Sequence, residues 1–285
     1  MTLNKVFIKN ICVMRKNIFT ILLGCITAYI FSSCSSMYIP SMVNTPLLSE
    51  QGEIQGELSL TTNALQLGVD YAFTDHLAAM AQTNFSYGNF TNAYDIYTSK
   101  EEDSTVLDLT NWGKFNNRHY ELGVGYYNMF NKDHFKMEAF GGFGFCHAND
   151  ENDYHTNVLE KYDTKYAMVF GQLNTGFSSK FCDFGLALRL APTFHKFNWE
   201  TIDAADPTNN AKGESNFTMF HIEPLLFLRA GYDHFKITAK AGCSFPFESK
   251  SLQDLSDEVP NSMYTKSTLM HFSIGACFIF NTKTK

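Results

Sequence analysis

Tyr120-Glu-Leu-Gly-Val-Gly-Tyr126 and, beyond the polar turn Asn131-Lys-Asp-His134, Phe135-Lys-Met-Glu-Ala-Phe-Gly-Gly-Phe-Gly-Phe145 decide the fold. Large apolar residues alternate with glycine or charge in both runs. A period of two sustained over about ten residues predicts strands with two unlike faces, here a hairpin. On the second strand Phe135, Met137, Ala139, Gly141, Phe143 and Phe145 share one face, while Lys136, Glu138, Gly142 and Gly144 share the other. A single hairpin of this kind suits any half-buried sheet, so the weight rests on its recurrence along the chain.

Upstream, residues 53–61, 64–73 and 77–87 read as strands; downstream, so do 166–177, 184–194, 217–230, 234–247 and 265–280. Short turns alternate with long polar connections at 88–117, 147–165, 198–215 and 248–261. Short turns at one end and long loops at the other are the asymmetry of outer-membrane barrels. The expected fold is therefore all-β: a single antiparallel up-and-down transmembrane β-barrel of about ten strands over 53–285. An even strand number puts both ends of the barrel on the short-turn side. Asp133-His-Phe-Lys-Met-Glu-Ala139 is echoed by Asp233-His-Phe-Lys-Ile-Thr-Ala239, with weaker copies at Asp75-His76 and Asp183-Phe184. Each copy marks a turn that feeds a strand, a hairpin repeat. Pro224 interrupts an otherwise good strand, and a bulge is expected there.

The two faces differ in kind. One carries Leu122, Val124, Leu186, Leu188, Leu226, Ile237, Ile274 and Phe278 with almost no charge. The other collects Glu57, Asp70, Glu121, Lys136, Glu138, Arg189, His221, Glu223, Arg229, Lys236, Lys240 and His271. In a soluble sandwich these would face water; in a membrane barrel they line the lumen. Aromatic residues near strand ends, such as Tyr71/Phe73, Tyr126/Tyr127 and Phe194/Phe197, suit interfacial girdles and favour the barrel. Ten strands enclose little space, so the mixed charges are expected to pair and fill the lumen rather than line a wide pore.

Of the 285 residues, 15% are aromatic and 18% charged, and mean hydropathy is −0.18, which excludes a polytopic helical membrane protein. Arg15 and Lys16 precede an apolar run over 18–31 and then Ser32-Ser33-Cys34, the layout of a removable secretory signal over 1–33. Met14 can start a compact leader by itself. Residues 1–33 hold four basic and no acidic side chains, leaving 18 basic against 29 acidic, a net charge of −11. That balance argues against a nucleic-acid partner. Residues 35–52, with Pro40 and Pro46, show no period and read as a linker. Cys146, Cys182, Cys243 and Cys277 lack any CxxC spacing; they are either small strand residues or, in an oxidising envelope, one disulfide.

Phe31-Ser-Ser-Cys34 resembles a bacterial lipoprotein signal, which implies a lipid on Cys34; Leu22-Leu-Gly-Cys25 is a competing match. Together with Tyr38-Ile-Pro40, Asn44-Thr-Pro-Leu-Leu48, Gly52-Glu53 and Tyr71-Ala-Phe-Thr-Asp-His76, it resembles the barrel lipoproteins of Bacteroidota, which are similar to small OmpA/OmpX-type barrels. The final Cys277-Phe-Ile-Phe280 resembles the aromatic-ended strand read by the barrel-assembly machinery. The resemblance implies a lipidated segment 34–52 and an integral outer-membrane location. It also implies an anchor in the periplasmic leaflet, since acidic residues do not follow Cys34. Outer-membrane lipid and an envelope or extracellular partner of the loops are the partners implied, for a monomer.

The motifs for chemistry are sparse. His271-x-Ser273 loosely resembles the His-x-Ser of lipid A deacylases, but both residues are expected to point into a narrow lumen. The Asp-His pairs sit on separate turns and read as turn formers rather than metal ligands. Asp150-Glu-Asn-Asp153 lacks the glycine and terminal glutamate of a calcium loop. Asp103-Ser-Thr105 resembles a short O-glycosylation motif. No enzyme activity, cofactor or metal is expected. The leading expectation is a structural or surface-interaction barrel, with a narrow solute channel as the alternative.

Overall fold

A computed structural model describes residues 38, 40–61, 64–86, 95–98, 105–108, 112–130, 134–154, 158–248 and 269–282. Ten antiparallel strands close into one barrel: β1 (Glu53–Thr61), β2 (Ala64–Ala72), β3 (Leu77–Ser86), β6 (Trp112–Phe130), β7 (Phe135–Tyr154), β8 (Val158–Ser178), β9 (Cys182–Asp203), β10 (Ala211–Tyr232), β11 (Phe235–Glu248) and β12 (Leu269–Asn281). Each strand pairs with its neighbours in order, and β1 pairs with β12 from Glu53↔Asn281 to Thr61↔Ser273, which leaves no open edge. A separate two-stranded hairpin, β4 (Asp95–Thr98) with β5 (Thr105–Asp108), lies within the longest connection.

The alternation faces outward with its apolar half. Val124 is 64% exposed and Ile274 61%, whereas Arg189 and Glu223 are 0% exposed. A continuous apolar exterior around a charged interior is the reverse of a soluble sandwich, and only a lipid surround satisfies it. Phe135 and Phe145 bracket the outer band on β7. Ten residues cover ~33 Å of strand, and a tilt of ~40° reduces that to ~25 Å of height, the span of an outer-membrane apolar belt.

The walls are unequal. β1–β3 have nine or ten residues, but β6–β10 have 19 to 22. Much of what reads as loop at 147–165 and 198–215 is strand that continues past the apolar belt. Beyond the belt the outer face turns polar as well, while inner residues such as Tyr162 and Phe197 stay buried, so the contrast between faces fades in the sequence while the hydrogen-bond ladder persists. At the long-loop end β1 stops at Thr61 and β2 starts at Ala64, contrary to a uniform set of long loops.

No residue is inserted at Pro224. β10 keeps one register with β11 on both sides of it, and pairing lapses only at Glu223 and Pro224. Pro192 leaves a matching two-residue lapse between β8 and β9. Proline removes a ladder donor, but a one-residue slip would turn every later side chain to the wrong face, so register is held.

The Asp-His repeat has a local explanation. Tyr127 N–H donates to the His76 carbonyl at 2.8 Å, and His76 Nδ1 lies 3.4 Å from the Tyr127 carbonyl. His134 meets Ser178 in the same double contact (2.7 and 3.3 Å), and His234 meets Ile279 (3.0 and 3.1 Å). Each histidine extends the sheet by one pair and clasps the neighbouring strand through its ring. In the fourth turn Phe181, rather than Phe184, takes this place, with Gly231 N–H donating to its carbonyl at 2.9 Å.

Candidate functional site

The lumen is occupied by the chain itself. Residues 40–50, expected as linker, run inside the barrel, and Met42, Val43, Thr45, Leu47 and Leu48 are all at most 1% exposed. The segment forms no strand, so its own backbone groups need partners, and the lumen side chains supply them.

At the short-turn end Leu48 N–H donates to Glu138 at 2.6 Å, and Lys136 Nζ donates to the Leu47 carbonyl at 2.7 Å. Nearby, Lys236 bridges to Asp183 at 2.7 Å. One level up, Arg229 donates to the carbonyls of Pro46 (2.8 Å) and Thr45, and lies 3.7 Å from Glu57. Lys240 pairs with Glu57 at 2.6 Å and reaches the Val43 carbonyl at 3.3 Å. Asn44 donates to Asp70 at 2.7 Å, and Gln66 pairs with both backbone groups of Met42 (3.1 and 2.9 Å).

Higher still, Arg189 pairs with Glu223 and, at 3.1 Å, with Glu121, and donates to the Ser41 carbonyl at 3.0 Å. Ser41 donates to Glu121. Tyr38 ends the described segment: its hydroxyl donates to Glu223 at 2.7 Å and its ring stacks on His221, centroids 3.6 Å apart. Apolar lumen residues complete the fit. Leu47, Met42 and Val43 pack with Ala187, Leu225 and Phe227, and Leu48 with Met80, Tyr127 and Phe140.

All twelve charged or histidine positions of the inner face, Arg229 and His271 included, are at most 6% exposed. His271 and Ser273 lie on β12 opposite Gly242 and Lys240, inside the wall. Gln66 joins the same interior, and so do Gln55, Gln172, Asn174 and Asp183, which the sequence did not place there although each obeys the same alternation. Two girdle assignments change: Tyr127 (1% exposed) and Phe197 (0%) point inward, because residues at odd separation from Tyr126 and Phe194 take the opposite face. Asp150–Asp153 belongs to β7 rather than to a loop. Cys146, Cys182, Cys243 and Cys277 are free thiols. Cys34, Cys25, the leader and residues 103–104 lie outside the described residues.

No known protein family matches this chain, and no curated protein matches it by sequence. Among solved structures it is similar to the outer membrane protease OmpT of Escherichia coli, with a TM-score of 0.52 and 8% identity over 80% of this chain and 92% of that one. More distant likenesses are a major outer membrane protein of Thermus thermophilus (TM-score 0.38, 13% identity, 80% and 98% covered) and the translocator domain of the Neisseria meningitidis autotransporter NalP (0.44, 8%, 79% and 87%). The chain has the closed-barrel fold of outer-membrane proteins. At such low identity the likeness to OmpT reaches the fold and stops short of its chemistry.

Proposed function

We propose that this protein is a non-enzymatic, self-plugged barrel lipoprotein that displays its long-loop end at the cell surface, with a structural or interaction role. The observation that carries this reading is the segment 40–50 seated in the lumen. A channel needs a continuous wet path, and here Arg189, Arg229, Lys136 and Lys240 are all engaged with the segment's backbone carbonyls. The enzyme reading through His271 and Ser273 meets the same obstacle, since both side chains are buried away from the lipid.

The direction of the segment bears on the anchor. Leu48 sits beside Glu138 near the short-turn end, whereas Tyr38 reaches His221 and Tyr166, far along β10 and β8. The chain therefore climbs away from the periplasm towards its upstream end. Cys34 is four residues beyond Tyr38, a reach of at most ~14 Å, and the way back is filled. The short β1–β3 wall offers the low rim over which an acyl group would reach the outer leaflet. This reading reverses the periplasmic anchor expected from sequence.

Planar-bilayer recording of the purified protein tests the plug: a silent wild type and a conducting variant lacking 38–48 are expected, and a conducting wild type would overturn it. An epitope inserted between Ser35 and Ser36 tests the direction. Antibody binding on intact cells is expected; labelling only after permeabilisation would return the anchor to the periplasm.

A further inference from the structure

Four outward-facing residues form a transverse row across four strands. Arg118 on β6 pairs with His147 on β7, His147 with Lys165 on β8, and Lys165 with Lys196 on β9. Two residues nearer the membrane, a second row runs Tyr120, Phe145, Ala167, Phe194 by the same pairings. Between the rows lies a shallow depression of about 840 Å³, lined by both. Its floor is backbone, because Cys146, Tyr166 and His195 turn their side chains inward. The small Ala167 leaves the aromatic row open in its middle.

The height is informative. Arg118 and His147 each lie twelve residues from the short-turn ends of their strands, Phe130 and Phe135. With the rise and tilt used above, that is ~30 Å, just beyond the ~25 Å apolar belt. Tyr120 (49% exposed), Phe145 (56%) and Phe194 (52%) meet the acyl layer, and the cations stand at headgroup level on the outer side. The outward cations at this level are confined to β6–β9 among the described residues. On β1–β3 the same pairing row carries Leu60, Leu65 and Phe85. Two carboxylates share the patch: Asp163 lies 2.8 Å from His147 and 3.6 Å from Lys165, and Glu214 lies 2.7 Å from Lys196. They hold the cations in place, and Arg118, Lys165 and Lys196 leave a net positive charge over them.

We infer that this depression binds a phosphorylated glycolipid of the outer leaflet. Its phosphates would sit on Arg118, Lys165 and Lys196, and its acyl chains on Tyr120, Phe145 and Phe194. The inference rests on the long-loop end facing outward. Cations above an aromatic shelf match a lipid whose charge and chains lie on adjacent levels; a soluble phosphate would need the first row alone.

The test is native mass spectrometry of the full barrel with bisphosphorylated lipid A and with the same lipid after phosphatase treatment. Wild type should retain the phosphorylated form preferentially. The triple variant Arg118→Gln/Lys165→Gln/Lys196→Gln should lose about a hundredfold in affinity, roughly fivefold per cation. Lys180→Gln, at a short turn, should bind as wild type does. Equal retention of both lipids, an unchanged triple variant, or full competition by millimolar inorganic phosphate would each overturn the inference. Heat-modifiable gel migration of every variant shows that the barrel itself is intact, so a binding loss is separable from a folding failure.

Discussion

Arg189 on β9 donates to the backbone carbonyl of Ser41, 148 positions earlier in the chain, at 3.0 Å. The same guanidinium lies 3.1 Å from Glu121 on β6 and pairs with Glu223 on the adjacent β10, so three strands meet through one side chain and the plug. Truncating it leaves two buried carboxylates without their cation. Arg189→Ala should destabilise the barrel by about 3–5 kcal/mol, read as a lower denaturant midpoint. Adding Glu121→Gln and Glu223→Gln should recover part of the loss; an unchanged midpoint in the single variant would contradict the network.

Gly68 faces the plug: the atoms nearest to a Cβ placed there belong to the Asn44 side chain, at 3.5–3.8 Å. Gly68→Phe should therefore displace Asn44 from Asp70 and loosen the plug while the barrel still closes. The expected outcome is intermittent single-channel conductance with normal heat-modifiable migration. Continued silence would mean that the segment accommodates a ring beside it.

The histidine clasps should contribute separately. His134→Ala and His234→Ala each remove one ring-to-carbonyl hydrogen bond, for a loss of about 1 kcal/mol apiece. The turns are far apart, so the double variant should lose the sum. Chelators should leave stability unchanged, whereas a metal-dependent shift in melting would revive the ligand reading of the Asp-His pairs.

Asp203 organises the exposed connection between β9 and β10. Its carboxylate accepts from the Asn209 side chain (3.0 Å) and from the N–H groups of Asp206 (3.0 Å) and Ala205 (2.9 Å), which hold it below the usual carboxylate range, Asn209 foremost. A depressed folded-state value means that its stabilising effect is present above the ordinary aspartate range, near pH ~4, and is lost as pH falls through the lower folded value. Measured against the intrinsic rate at each pH, protection of the Ala205 and Asp206 amides should hold at pH ~5 and fall away as pH drops through the lowered Asp203 value. Asp203→Asn should remove that pH dependence, and a persisting one would assign it elsewhere.

How far the sequence reaches is clearest on β7. Phe135 to Phe145 alternates so regularly that strand, faces and membrane belt follow from it, because lipid demands an unbroken apolar row outside. The strand continues to Tyr154, where residues such as Asn149 and Asp150 carry no such contrast and read as loop. Inner-face positions from Glu57 to His271 are legible for the same reason as the outer ones, since a period of two assigns both at once. The basic row escapes notice because Arg118, His147, Lys165 and Lys196 come from four strands and become neighbours only through register.

The sequence by itself determined a closed, lipid-facing β-barrel with its charges turned inward, because alternation is a local property that each strand states for itself. Tertiary structure alone decided what fills that interior. Residues 40–50 have no period and read as a linker, since most of their hydrogen bonds go to side chains on β2 and β6–β11 that are distant in sequence. Only the closed barrel surrounds the segment with Lys136, Arg189, Arg229 and Lys240 at once, and each of those buried cations finds a backbone carbonyl there.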